Sequence, residues 1–357
     1  MDWVFIEYLI NKMSLKDKIG QLLYIDYRKV NEKITSMNSE FEKILSKYKP
    51  GGFILFSSNI SDYNNTFKFI KDIMDISYIK MFIGVDQEGG RVQRLNSNVG
   101  FDSIMPALDI TDSDEAYGIG RIIGRGLRGL GINMDMAPVL DVYSNRDNRV
   151  IGNRAFGRTK EEVLDKSLAF ARGLSDEKII SVGKHFPGHG NTSVDSHIDL
   201  SVLDSSREDL DRLELASFKG AINMGIPALM VGHIVISKID FYPSSISNMV
   251  INGILRDEMK YNGVVMPDSL KMKGLTKYFS FNDIYYNCIM SGNDFVFMPM
   301  DIDDAFNTIY RFVNDGKISI ERIDDSLRRI FTLKFNSGLL DDEYDCYLNI
   351  KKRKKVL

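Results

Sequence analysis

Cys288 and Cys346 are the only cysteines among the 357 residues. So few, placed so far apart, make neither a disulfide framework nor a Cys-x-x-Cys pair, and they suit a reducing cytosol. A surplus of one charge is missing too. The formal net charge of −3 does not advertise nucleic acid or an anionic membrane as a partner. No apolar run is long enough to span a bilayer, and the opening Met1-Asp2-Trp3-Val4-Phe5-Ile6-Glu7 is acidic early, without a basic region ahead of an apolar core. Neither a signal peptide nor a membrane segment is expected, and cytoplasmic is the default location. No linker rich in Pro or Ser divides the chain, and a hydrophobic content of 44% is enough for a large core.

What is present is an alternation. Eight short apolar runs, at 22–27, 52–57, 81–86, 133–138, 179–185, 228–233, 263–268 and 294–299, are each followed by an amphipathic stretch. That is the pattern of an α/β fold, a single-domain (β/α)8 TIM-like barrel. Capping boxes, Thr159 with Glu162 and Ser205 with Glu208, open two of the helices. Ile323, Leu327, Ile330 and Phe331 recur at helical spacing and close the barrel. Residues 1–340 are expected to form the barrel and 341–357 a charged tail, whose run Lys351-Lys352-Arg353-Lys354-Lys355 reads as a solvated end. Trp3 and its apolar neighbours are expected to pack under the barrel. Gly118, Gly120 and Gly124 miss the dinucleotide-binding spacing by one residue and read as close helix packing.

Three of the four histidines fall between positions 185 and 197, in Lys184-His185-Phe186-Pro187-Gly188-His189-Gly190-Asn191-Thr192-Ser193-Val194-Asp195-Ser196-His197. A hydrophobic core has no use for that set of titratable groups. A buried strand delivers Lys184 and His185 to its C-terminal end, and a loop with two glycines carries Asp195 and His197. His185 and His189 have helical zinc-ligand spacing, but Pro187 and Gly188 lie between them, so no metal is expected there. The other strand ends bring Asp86, Asp141, His233 and Asp268 to the face where such barrels hold their active sites. Asp86 or Asp268 taken alone could equally be a salt-bridge partner, and His189 a loop anchor. Together, carboxylates and cations with no apolar slot suit a polar ligand, most naturally a sugar, whose vicinal hydroxyls donate to the carboxylates and accept from the cations.

Four segments carry a family likeness: Asp86-Gln87-Glu88-Gly89-Gly90-Arg91-Val92-Gln93-Arg94, Gly152-Asn153-Arg154-Ala155-Phe156-Gly157, the stretch 184–197, and Val265-Met266-Pro267-Asp268-Ser269-Leu270-Lys271-Met272. Over about 13–340 the chain resembles glycoside hydrolase family 3, specifically its β-N-acetylglucosaminidases of the NagZ type. The resemblance implies a retaining exo-β-N-acetylglucosaminidase with Asp268 as nucleophile and an Asp195–His197 acid/base dyad. It also implies that Asp86, Arg94, Arg154, Lys184 and His185 hold the terminal N-acetylglucosamine, without any cofactor. Pro267, where the family usually has Ser or Thr, and Arg149, where it usually has proline, put fine positioning in doubt and leave the reaction alone. A muropeptide or related N-acetylglucosamine glycan is the implied substrate, and the oligomeric state is left open. The alternatives are a phosphorylase, because a histidine acid does not repel incoming phosphate, and a non-catalytic sugar-binding protein. A β-glucosidase or β-xylosidase is disfavoured, since those relatives commonly carry their acid on a second domain.

Overall fold

A computed structural model of the chain describes residues 2–29, 31–192 and 200–356. All eight expected strands form, seven of them shorter than the apolar runs that announced them and β5 shifted by one residue at the same length: β1 (Leu23–Ile25), β2 (Gly52–Leu55), β3 (Phe82–Val85), β4 (Met134–Asp135), β5 (Ile180–Phe186), β6 (Ala228–Val231), β7 (Val264–Pro267) and β8 (Val296–Phe297). Every residue in them is buried, as in a parallel sheet covered on both faces. The ladder runs β7-β6-β5-β4-β3-β2-β1-β8, all parallel. Between β7 and β8 a side chain completes the nearly closed barrel. The amide of Asp294 donates to the carbonyl of Val265 at 2.7 Å, and the amide of Val265 donates back to the Asp294 carboxylate at 2.8 Å. That carboxylate is wholly buried and also takes Arg256 at 2.8 Å and Arg329 at 2.9 Å. Burial alone would raise its pKa, but the arginines outweigh burial and hold it below the usual range.

The connecting helices follow the caps. Thr159 and Glu162 make the expected reciprocal box at the start of Lys160–Asp176. The next cap falls one residue later than expected: Ser206, not Ser205, accepts from the Asp209 amide and opens Arg207–Arg212. Helix Ser113–Leu130 lies so close to Lys160–Asp176 that a Cβ on Gly120 would strike the carbonyl of Phe170, and one on Gly124 would press on Glu177. Gly118 faces open space, so close packing explains only two of those three glycines. Ile323, Leu327, Ile330 and Phe331 are fully buried in helix Ile320–Asn336.

Helix Trp3–Lys12 buries Phe5, Ile6 and Ile10, and the C-terminal helix Asp341–Val356 sets Tyr344 and Tyr347 against Phe5 at 5.0 and 5.3 Å. Trp3 does not pack underneath. In the first turn, on the shoulder of the buried face, it remains 52% exposed. Among the described residues no helix is long and apolar enough to cross a membrane.

Candidate active site

At the C-terminal ends of the strands the barrel opens into a cleft of about 860 Å3. Its wall includes Asp86, Arg94, Arg154, Lys184, His185 and Asp268. Thus six of the eight expected site residues meet in one place, although they come from four strand ends. Asp195 and His197 lie outside the described residues.

Lys184 is the hub. It projects from β5, is only 2% exposed, and reaches Asp86 at 2.8 Å and Glu88 at 2.6 Å. Arg154 takes Glu88 in a two-pronged grip, both bonds at 2.8 Å. Two cations and two carboxylates therefore neutralise one another under the floor of the cleft. Burial pushes each carboxyl upward, but Lys184 and Arg94 outweigh it at Asp86, and Arg154 and Lys184 at Glu88. Both are held below the usual carboxylate range. The same partners hold the Lys184 ammonium above its ordinary value against burial. Arg94 adds a longer contact to Asp86 at 3.4 Å, while its Nε is buried without a hydrogen-bond partner among the described residues. Gln87 fixes the Arg94 backbone by accepting from the amides of Arg94 and Leu95, both at 3.0 Å.

Asp141, six residues past β4, organises the histidines. Its Oδ2 accepts from His185 Nδ1 at 2.7 Å and from the His185 amide at 3.2 Å, and its Oδ1 accepts from the His189 amide at 2.6 Å. A carboxylate can only accept, so His185 carries its proton on Nδ1 and turns Nε2 toward Arg154, 3.4 Å away. One buried carboxylate thereby grips both ends of the turn 185–189. His189 is buried and hydrogen-bonds Thr192 at 2.5 Å. Burial, opposed by Asp141, pushes its pKa down. Asn148 donates to the carbonyl of His189 at 2.6 Å and to that of Gly190 at 3.2 Å, tying the arginine loop to the glycine loop. Gly190 has to be glycine, because a Cβ would run into the Val142 carbonyl.

Asp268 sits half-buried just past β7. Its amide extends the ladder to Val231 at 2.8 Å, and its Oδ1 accepts from the Ser269 amide at 2.6 Å. Beside it, His233 hydrogen-bonds the Ser245 hydroxyl through Nδ1 at 2.6 Å and the Ser269 carbonyl through Nε2 at 2.9 Å, so it braces the turn that carries Asp268. A larger cavity, about 1040 Å3, opens near the start of β5 and Pro227, at the opposite end of the barrel. It gathers no comparable set of charges.

The glycosyl hydrolase family 3 N-terminal domain matches residues 14–333. The chain belongs to glycosyl hydrolase family 3. Within that family it is 29% identical to a beta-hexosaminidase A of Pseudoalteromonas piscicida over 90% of this chain, of whose length it spans 61%. It is 35% identical to a beta-hexosaminidase of Methylococcus capsulatus over 67% of this chain and 72% of that protein. Among solved structures, the family 3 beta-N-acetylglucosaminidase of Paenibacillus sp. FPU-7 superposes with a TM-score of 0.87 at 34% identity, over 92% of this chain and 63% of that one.

Asp141 was expected at this face of the barrel, though without a role, whereas Glu88 and Asn148 were not singled out by sequence reasoning as site residues. Glu88 lies inside the Asp86-Gln87-Glu88 motif, and an acidic residue two places along a strand end from another is the signal that could have flagged it. Nothing in the sequence marks Asn148.

Proposed function

We propose that this family 3 chain is a retaining exo-β-N-acetylglucosaminidase that removes terminal N-acetylglucosamine from a muropeptide or related glycan in the cytoplasm. The observation that carries the reading is the cleft wall. Asp86, Arg94, Arg154, Lys184 and His185 form one hydrogen-bonded constellation on the same face as Asp268. The names of the hexosaminidase relatives support the sugar. In this reading Asp86 and Lys184 take hydroxyls of the terminal ring, and the unsatisfied Arg94 Nε gains a partner when the sugar binds.

The chemistry is a double displacement. The Asp268 carboxylate attacks the anomeric carbon while the bond to the leaving oxygen breaks, and the His197 imidazolium gives that oxygen its proton. Water then attacks the glycosyl-enzyme as His197 takes a proton from it, and the Asp268 carboxylate is released. Asp195 orients His197 and stabilises its charged form.

One observation keeps a second reading alive. Arg28, Arg91, Arg94, Arg149, Arg154 and Lys184 line the cleft against Asp86, Asp147 and Asp268. That cationic excess suits the carboxylates of a muropeptide, and it equally suits phosphate as the second nucleophile. A chromogenic β-N-acetylglucosaminide, beside the glucoside, assayed with and without phosphate separates them. Free N-acetylglucosamine in both buffers supports the hydrolase, whereas the sugar 1-phosphate as main product supports the phosphorylase. No turnover, or preference for the glucoside, would sink the reading.

A further inference from the structure

Large aromatic side chains stay exposed beside β6 and β7. Phe241 is 89% exposed, Tyr278 51% and Tyr242 43%. The rings of Tyr242 and Phe279 stack at 5.6 Å with 27° between their planes. Exposed aromatics in such a group mark a binding surface. Both segments follow neighbouring barrel strands at their C-terminal ends, so they share the face of the cleft. Phe241 and Tyr242 come after Ile234–Ile236 beyond β6, and Tyr278 and Phe279 come after the single turn Lys273–Thr276 beyond β7.

Two short bonded routes lead from these rings to the candidate nucleophile. Ser245, three residues past Tyr242, bonds His233, which bonds the carbonyl of Ser269 next to Asp268. On the other side Met272 stands in the cleft wall. Its carbonyl takes the Leu275 amide at 3.0 Å, and the Leu275 carbonyl takes the Phe279 amide at 3.0 Å. The aromatic group is thus tied by these bonds to Ser269 and Met272 of the cleft wall, at the same end of the barrel. A pyranose presents flat C–H faces with hydroxyls at its edge, the complement of a ring that is apolar on its face and wet at its rim.

We propose that Phe241 and the stacked Tyr242–Phe279 pair form the platform for the second sugar ring, on the reducing side of the scissile bond. The proposal rests on reading the cleft as an N-acetylglucosaminidase site. It makes the substrate a glycan with at least two rings, and it puts its selectivity on a surface that the terminal sugar does not touch.

The test uses Phe241→Ala and Tyr242→Ala in the full chain, because both side chains are exposed enough to be removed without opening the core. Methyl β-N-acetylglucosaminide, which has no second ring, is compared with the β-1,4-linked trimer of N-acetylglucosamine. KM for the trimer should rise roughly three- to tenfold, as the loss of one aromatic contact predicts, with the methyl glycoside unaffected. Unchanged trimer kinetics, or equal losses on both substrates, overturn the platform. Calorimetric binding of the trimer to Asp268→Asn, with and without Tyr242→Ala, gives a readout independent of turnover. Affinity should fall by the same factor, and unchanged affinity overturns the proposal. A trimer affinity that depends on Tyr242 in a protein that hydrolyses nothing would keep the platform and remove the hydrolase reading. Dimers seen in sedimentation that Tyr242→Ala dissociates would assign the patch to a second copy of the chain and overturn the proposal.

Discussion

Replacing Glu88 by glutamine tests the charge cluster beneath the cleft. The side chain of Glu88 is 4% exposed and holds Lys184 at 2.6 Å and Arg154 at 2.8 Å. Glu88→Gln keeps the shape and removes one of two anions, so two buried cations would be left with Asp86 alone. Breaking a buried ion pair by removing one partner costs about 3–5 kcal/mol. Unfolding entropy near 2.1 cal/mol/K per residue, over 357 residues, gives about 0.75 kcal/mol per degree, so the melting temperature should fall by ~4–7 °C. Differential scanning calorimetry reads this directly. Because the carboxyl is held below its ordinary value near 4.5, its contribution is present in full above that pH and is lost as pH falls below it. The gap between wild type and variant should therefore narrow in acid. Removing a cation as well, in Glu88→Gln/Lys184→Met, should cost less than the sum of the single changes. A melting shift under one degree at neutral pH, or strict additivity in the double variant, would refute the idea that these four charges form one balanced unit.

Asp268→Asn should lower kcat by at least about three orders of magnitude, roughly 4 kcal/mol of barrier, with the melting temperature nearly unchanged. A mechanism-based fluorosugar found by peptide mapping on a residue other than Asp268 would remove it as nucleophile. Lys334 is fully buried, with Gln21 at 3.0 Å as hydrogen-bond partner, and burial pushes its ammonium down to about 7 from 10.5. Its folded pKa lies below the unfolded one, so the penalty is greatest below pH 7 and fades as pH rises toward 10.5. Lys334→Met should then stabilise the protein by ~1–3 kcal/mol at neutral pH, after the loss of the Gln21 bond. That gain should shrink in alkali, and a destabilised variant at pH 7 would contradict the assignment.

The eight strands were legible because each is a run of apolar residues buried on both faces, a signal that survives without any partner. Most expected ends ran long because residues such as Asp86 and His233, which follow the apolar run closely in sequence, leave the ladder in space. Asp86, Arg94, Arg154, Lys184, His185 and Asp268 could be gathered from strand ends alone, since the barrel brings all eight ends together. Glu88 and Asn148 escaped because their partners are distant in sequence. Glu88 meets Arg154 across 66 residues and Asn148 meets His189 across 41. The shift of a cap from Ser205 to Ser206 has a smaller cause: two adjacent serines each stand three residues ahead of a carboxylate, and only geometry chooses between them.

The seam between β7 and β8 has a practical consequence for anyone trimming the gene. The last of the eight strands ends at Phe297, and a designer might cut soon after it. Yet the Asp294 carboxylate that stitches β8 to the strand carrying Asp268 is itself clamped by Arg329 and Ser326, at 2.9 and 3.0 Å, on helix Ile320–Asn336. Cutting ahead of that helix would leave the buried anion with Arg256 at 2.8 Å but without Arg329, and would loosen the strand that leads to Asp268. The smallest workable catalytic fragment therefore extends through Asn336, well past the last strand.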